Sequence, residues 1–343
     1  MAEGRPTGFE SVHLPETGTV PIRDLGLTIE GSCLEPVLAV FADELAGAGV
    51  IRVRPRFYLS TEWGVPEGTV AIAIPFYLTR PYLVELHAER VGHVEGSGAE
   101  DILRYLRHET GHVVNYAYKL YEGPEWVETF GPMDRPYLEE FRFEPFSRRF
   151  VRHLPGWYAQ KHPDEDWAET FAVWMTPGLD WHTEYADWPE ALAKLQYCDR
   201  TMAALADRDP VVTADDLDED VSQISVSIDD FYGLDTRPEL ATFPASLDAV
   251  LRSVFAPRDG HGMDTKHASE LIRTLERTLT VSVYHWTGHF PERTRSLLRH
   301  LVGRADALGL TYPSGEETTT AVSLTALVTA LAMNHAGRGS YFL

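Results

Sequence analysis

The chain has 343 residues and a formal net charge of −22, with 52 acidic side chains against 30 basic ones. A charge this negative disfavours binding to nucleic acid or to an anionic membrane, and it would favour basic peptides if charge alone selected a partner. The two cysteines, Cys33 and Cys198, lack the spacing of a disulfide or metal motif. The N-terminus has no apolar signal segment and no run approaches membrane-spanning length, so the expected location is cytoplasmic.

Two short strands are predicted ahead of the most informative helix of the chain. Residues 1–20 are polar and rich in glycine, proline and threonine, which is typical of a flexible arm, and residues 34–45 have the periodicity of an amphipathic helix. Residues 50–59 and 70–78 are rich in β-branched and aromatic side chains and predict the strands of a small sheet. One of these strands could offer an open edge to an extended peptide.

The next predicted helix carries a metal-binding motif. Ser97 and Glu100 have the spacing of a capping box, which predicts that the helix begins there. His108 and His112 are four positions apart, so both imidazoles lie on one face of the helix and can be directed at one metal ion. Glu109 follows the first histidine and could take a proton from a metal-bound water without being a ligand itself.

A zinc site needs a third protein ligand, and the position of that ligand defines the type of site. The metzincin pattern would require glycine at position 115 and histidine at position 118, where this chain has Asn115 and Tyr118, so that class is excluded. The alternative is a glutamate on a later helix, which Pro163 would begin and whose first turn is acidic. Glu169 lies one turn inside this helix. Asp166 shares its face and could accept a hydrogen bond from a ligand histidine.

The two segments together resemble a known family. His108–His112, followed by Glu-Asp-Trp-Ala-Glu-Thr-Phe-Ala at residues 165–172, resembles the gluzincins and is most similar to a bacterial group of zinc-binding metallopeptidases with an Asp-Trp-Ala-Glu-Thr core. The glutamate of that pattern is the third ligand in the family, which implies one Zn²⁺ per chain held by His108, His112 and Glu169. The choice of Glu169 over Glu165 depends on this resemblance and on helix phase.

The resemblance also implies a peptidase mechanism. Glu109 would assist the attack of a zinc-bound water on the peptide carbonyl and then pass the proton to the leaving amine. The oxyanion that forms needs a donor besides the metal. In similar gluzincins a tyrosine shortly before the ligand glutamate has this role, so Tyr158 is the candidate here. The spacing from Tyr158 to the glutamate is longer than in those proteins, and His162 therefore stays a competitor.

The predicted elements indicate an α+β protein with two structured regions. A gluzincin-like (zincin) catalytic domain, with a small N-terminal sheet and the His-Glu-x-x-His helix, would span residues 21–207, followed by an acidic linker at residues 208–238 and a helical C-terminal domain at residues 239–343. Amphipathic helices are predicted in that last domain at residues 246–256, 266–287, 291–308 and 317–336.

Three functions from different classes fit these observations. The first is a zinc-dependent metallopeptidase acting on a peptide or protein substrate. The alternatives are a zinc-binding regulatory or interaction protein without catalysis, and a zinc amidohydrolase acting on a small-molecule amide. Glu109 argues against the non-catalytic alternative, because a structural zinc site usually closes with a fourth protein ligand and has no use for a free carboxylate beside the metal.

Overall fold

A computed structural model describes residues 17–91, 93–138, 141–144, 147–234, 243–257 and 264–342. The protein is mixed α/β, mostly helical with small sheets, in agreement with the predicted α+β class. In chain order the elements are α1 (Leu34–Gly47), β1 (Arg56–Ser60), β2 (Ala71–Pro75), α2 (Pro81–Arg90), α3 (Ala99–Tyr118), α4 (Pro124–Phe130), α5 (Pro163–Met175), α6 (Trp181–Glu184), α7 (Pro189–Leu205), α8 (Ile228–Leu234), α9 (Leu247–Val254), β3 (Ala256–Pro257), β4 (Thr265–His267), α10 (Ala268–Thr287), α11 (Pro291–Ala307), β5 (Leu310–Pro313) and α12 (Glu317–Arg338).

The N-terminal sheet consists of β1 and β2, which run parallel with Arg56 opposite Ala71 and Ser60 opposite Pro75. The first strand begins six residues later than predicted, directly after Pro55, because proline has no N–H with which to continue a ladder of hydrogen bonds. All five residues of β2 are buried, so this strand passes through the core beneath α3. The predicted arm lies outside the described residues up to position 16, and residues 17–19 form a single 3₁₀ turn.

Helix α3 begins at Ala99, and its start differs in detail from the predicted capping box. The carboxylate of Asp101 accepts hydrogen bonds from the backbone N–H groups of Gly96 and Ser97 at 2.9 and 3.0 Å. Gly98 is the N-cap residue with φ of 114°, a conformation that glycine adopts readily because it has no Cβ. The helix start is therefore fixed by Asp101, in place of the Ser97–Glu100 pair that the spacing suggested.

The two helices that carry the metal motif cross in very close contact. A Cβ built on Gly111 of α3 would lie 2.7 Å from the Cα of Ala168 on α5, so only glycine permits this approach. The indole N–H of Trp167 also donates to the carbonyl oxygen of Gly111 at 2.7 Å. The glycine within the motif thus brings the two helices together, and helix α5 is buried along almost its whole length.

Replacing Gly111 with alanine should destabilise the protein, because the added methyl group must push α3 and α5 apart. Overpacking of this kind typically costs about 1–3 kcal/mol in the free energy of unfolding. The measurement is urea unfolding followed by circular dichroism in the presence of a chelator. Gly47→Ala is the matched control, since Gly47 is also helical but has nothing within 4 Å of its built Cβ. An alanine at 111 that is tolerated as well as one at 47 would contradict the close contact.

Residues 208–232 do not extend as a free linker but pack on the first core. The backbone N–H groups of Val211 and Val212 donate to the carbonyl of Ala117 at the end of α3, and Ile22 donates to the carbonyl of Val226. Ile228 and Tyr232 of α8 are buried in the same apolar cluster as α3 and β2. The acidic composition of this stretch therefore marks a solvated outer face, while its few apolar residues attach it to the body of the protein.

The C-terminal region has its own apolar core, made by helices α9, α10, α11 and α12. A three-stranded antiparallel sheet in the order β3-β5-β4 covers one side of these helices, and the helical periodicity of the sequence gave no sign of it. The C-terminal region is in close contact with the first region. A Cβ on Gly288 would lie 2.1 Å from the Cα of Gly156, and the hydroxyl of Tyr284 donates to Glu95 at 3.2 Å. Within the described residues, no helix has the length and apolar character needed to span a bilayer.

Candidate metal centre

Three side chains from two helices converge at the centre of the first region. The Nε2 atoms of His108 and His112 on α3 lie 3.2 Å apart. The carboxylate oxygen Oε2 of Glu165, in the first turn of α5, lies 3.0 Å from the first of these nitrogens and 3.3 Å from the second. All three side chains are buried, and their atoms form a group that could hold a metal ion.

Glu169, which the sequence suggested as the third metal ligand, does not lie beside the converging Nε2 atoms. Its Oε1 contacts Nδ1 of His108 at 2.9 Å, on the side of the ring away from the converging atoms. Its carboxylate also accepts hydrogen bonds from the backbone N–H groups of His153 and Leu154. Glu165 and Glu169 are one turn apart and share a face of α5, so helix phase fits both, and the crossing of α5 over α3 puts Glu165 beside the Nε2 atoms.

Asp164 supports the other histidine. Its Oδ2 contacts Nδ1 of His112 at 2.9 Å, and the hydroxyl of Tyr116 and the side-chain amide of Asn115 donate to the same carboxylate at 2.6 Å each. Carboxylates that accept the second N–H of a ligand histidine fix its tautomer and ring orientation. Asp164 was not singled out from the sequence, although its place in the first, acidic turn of α5 was the available signal.

Asp166, the residue expected in that supporting role, faces away from both histidines. Its Oδ2 accepts from the ammonium group of Lys194 on α7 at 2.6 Å, and both side chains are buried. Burial raises the pKa of Asp166 to about 7, against the opposing effect of Lys194. The residue ties α5 to α7, and the predicted contact with a ligand histidine is not formed.

The converging atoms fit a tetrahedral metal ion. When both imidazoles are neutral and each Nδ1 donates to its carboxylate, both Nε2 atoms present lone pairs toward one another and toward an anionic oxygen, an arrangement that is repulsive unless a cation or protons lie between them. A tetrahedron with metal–ligand bonds of about 2.0–2.1 Å has edges of about 3.3 Å. The separations of 3.0, 3.2 and 3.3 Å between the converging atoms agree with such edges.

The charge of the surroundings leads to the same conclusion. Burial disfavours a proton on His108, but hydrogen bonds to Glu165 and Glu169 outweigh it and raise the pKa of His108 to about 9. Burial likewise opposes ionisation of Glu165, yet His112 and His108 hold the pKa of this carboxyl well below its usual range. The carboxylates around the two imidazoles thus stabilise a positive charge at this point, which a bound cation can supply in place of protons.

Glu109 lies beside this group and is not part of it. Its side chain is 5% exposed and borders the cavity described below, and burial raises the pKa of its carboxyl. Among the described residues, no hydrogen-bond partner engages this carboxylate. Glu109 is therefore a buried carboxyl group that borders the cavity next to the atoms that could hold a metal ion.

Tyr158, the predicted oxyanion donor, also borders the site. Its ring lies 5.6 Å from that of His108, and its hydroxyl lies 3.4 Å from the hydroxyl of Tyr137 and 3.5 Å from the ammonium group of Lys161. Tyr137, which was not predicted, donates to Oε1 of Glu165 at 2.5 Å. The competitor His162 is occupied by structural contacts, since its Nδ1 accepts from the backbone N–H of Asp164 and its Nε2 contacts the carbonyl of Arg135.

The site opens into a cavity of about 1290 Å³ that both regions of the chain line. The segment after β1 contributes Trp63 and Glu67, and the chain between α4 and α5 contributes Phe141 and Arg142. The C-terminal region contributes residues from α10, α11 and α12, which the sequence did not connect with the metal motif. The cavity thus lies between the metal helices and the C-terminal helices.

Comparison with known protein families, with curated proteins and with solved structures gives no match for this chain. What can be said of its chemistry therefore depends on its own residues. They form a buried His/His/Glu group that could hold a metal ion and that lines a large cavity.

Proposed function

We propose that the chain is a zinc-dependent metallopeptidase of the gluzincin type, which hydrolyses peptide bonds in the cavity between its two regions. One observation carries the proposal. The side chains of His108, His112 and Glu165 converge in a group that could hold a metal ion, and Glu109, whose carboxylate has no hydrogen-bond partner among the described residues, lies beside them and borders the cavity.

Each residue of the site has a separate role in the proposed hydrolysis. Zinc held by the two histidines and Glu165 would polarise the substrate carbonyl and lower the pKa of water. Glu109 takes the proton from the attacking water and later delivers it to the leaving nitrogen, because its carboxylate borders the cavity and no described residue donates a hydrogen bond to it. The raised pKa of Glu109 suits this double role, since a carboxyl closer to neutrality both accepts and releases a proton readily.

Tyr158 is the donor to the developing oxyanion. Its hydroxyl is close to Tyr137 and Lys161, and its ring lies beside the ring of His108. Burial raises the pKa of Tyr158 well above its usual range, so the phenol stays protonated and keeps a hydrogen to donate. His162 is less suited to this role because both of its ring nitrogens are already engaged.

The size of the cavity favours a peptide over a small-molecule amide. Pockets for drug-sized ligands usually have about 300–1000 Å³. The volume of about 1290 Å³ exceeds that range and gives room for several residues of an extended chain. A small amide would leave most of this space filled with water.

Removal of the metal should abolish peptide cleavage, and zinc should restore it. The experiment combines metal analysis of the purified protein with cleavage of a mixed peptide library, read by mass spectrometry before chelation, after chelation and after addition of one equivalent of Zn²⁺. We expect one zinc per chain and cleavage that follows zinc content. Protein that binds no metal would refute the proposal. Protein that binds zinc but cleaves no peptide in the library would favour a binding or regulatory role.

A further inference from the structure

Charge is distributed unevenly over the cavity wall. Among the described lining residues, twelve come from positions 133–162 and nine from the C-terminal region, and none of these twenty-one is acidic. Four of them, Arg135, Arg142, Lys161 and Arg293, carry positive charge. The acidic residues in the described lining are Glu62, Glu67 and Glu95, together with Glu109 of α3 and Asp164 and Glu165 of α5. In a chain with 52 acidic and 30 basic side chains, a wall of this extent without a carboxylate is unexpected. We call these twenty-one residues the basic wall.

The two halves of the basic wall meet at one place. Gly156 and Gly288 are in backbone contact, and the next residue, His289, contacts the hydroxyl of Tyr341 at 3.1 Å. The guanidinium of Arg142 lies 3.6 Å from the position that a Cβ on Gly339 would occupy. Arg142 from the first region and the end of the chain from the second therefore lie side by side.

The arginine at this junction, Arg142, has no partner among the described residues. Among the described residues, no ion pair or hydrogen bond engages the guanidinium of Arg142, whereas Arg107, Arg273 and Arg304 each pair with a carboxylate. Arg293, the basic lining residue of the C-terminal region, lies 5.7 Å from the ring centroid of Phe290, which is 45% exposed. A guanidinium binds a carboxylate through two parallel hydrogen bonds, and it is the side chain best suited to that anion.

We propose that the basic wall, which also includes Arg293, binds a carboxylate of the substrate at Arg142, so that the preferred substrates are acidic peptides. The carboxylate is either the C-terminus of the peptide or the side chain of an aspartate or glutamate. The inference rests on the proposed function, and it gives the C-terminal region a direct part in substrate selection. Overall charge alone would favour basic peptides, but the local wall has the opposite preference.

The test uses four synthetic peptides that share one neutral, phenylalanine-containing core. They differ only in having a free or amidated C-terminus and a glutamate or a glutamine in the core. Their dissociation constants are measured by calorimetry on metal-loaded Glu109→Gln protein, in which we expect turnover to be strongly slowed, and again on chelated wild-type protein. We expect the best carboxylate-bearing peptide to bind about 10- to 100-fold more tightly than the fully neutral one, as for a charge-assisted hydrogen bond. Whichever of the two changes removes the preference identifies the source of the carboxylate.

The same titrations on Arg142→Gln protein show whether the basic wall is responsible. We expect Arg142→Gln to remove most of the preference, while Arg52→Gln, which makes the same charge change at an exposed ion pair with Asp209, leaves it intact. Equal affinity for all four peptides, or no binding of any, would overturn the inference, as would a preference that Arg142→Gln does not reduce. Cleavage of library peptides without regard to charge would support the peptidase activity and refute only the role of the basic wall. Arg142-dependent binding without any cleavage would support the role of the basic wall and refute the peptidase activity.

Discussion

Glu165→Gln protein should lose its metal, whereas Glu169→Gln protein should keep one ion per chain at reduced affinity. The Oε2 of Glu165 lies within 3.3 Å of both histidine Nε2 atoms, while Glu169 contacts only Nδ1 of His108. Loss of a carboxylate behind a ligand histidine usually weakens metal binding about 10- to 100-fold. Loss of the ligand itself should exceed that range. Zinc affinity is measured by competition with a chelating dye.

Glutamine has nearly the shape of glutamate, so the two variants are a matched pair. Glu169 also accepts backbone hydrogen bonds from His153 and Leu154, and an alanine there would leave those donors unpaired. Circular dichroism of both proteins checks that each is folded. A Glu165→Gln protein that keeps tight zinc, beside a Glu169→Gln protein that loses it, would reverse the assignment and restore the choice that the resemblance implied.

Glu109→Gln should reduce kcat by about 100- to 10,000-fold, the usual range for loss of a general acid or base. Its carboxylate is not among the converging metal ligands, so zinc content and zinc affinity should stay at the wild-type level. Glu128→Gln provides the control, because Glu128 is an exposed residue of α4 and the substitution changes the net charge by the same amount. Kinetics are measured on the best-cleaved peptide from the library.

The combination of unchanged metal and lost turnover is what separates a base from a ligand. If Glu109→Gln lost its zinc as well, Glu109 would be holding the ion or its neighbours in place. If it kept both zinc and normal kcat, another group would be moving the proton, and the role given to Glu109 would be wrong.

Local sequence signals predicted the elements that carry the site. Pro163 at the first position of α5 and the acidic turn after it located that helix to the residue, because proline fits only where no N–H is needed. The four-residue spacing of His108 and His112 placed both imidazoles on one face, as the structure has them. The helices of the C-terminal region were also predicted within a few residues of their bounds. These features depend on residues near one another in the chain.

Features set by long-range packing were not predictable in this way. Glu165 and Glu169 are equivalent in helix phase, and only the crossing of α5 over α3 at Gly111 and Ala168 distinguishes them. The partnership of Asp166 with Lys194 likewise depends on how α7 packs against α5. The contact of Gly156 with Gly288 joins segments more than a hundred residues apart, and no local pattern indicates it.

The close crossing at Gly111 also affects how the site would bind an ion. The backbone contact with Ala168 and the indole hydrogen bond of Trp167 involve neither histidine nor glutamate. Asp164 and Glu169 hold the imidazole rings through their outer nitrogens, again without using the converging atoms. The atoms that could hold an ion are thus positioned by packing, in contrast to small zinc domains that fold only around their ion. If the group binds an ion, we therefore expect binding to cost little conformational entropy.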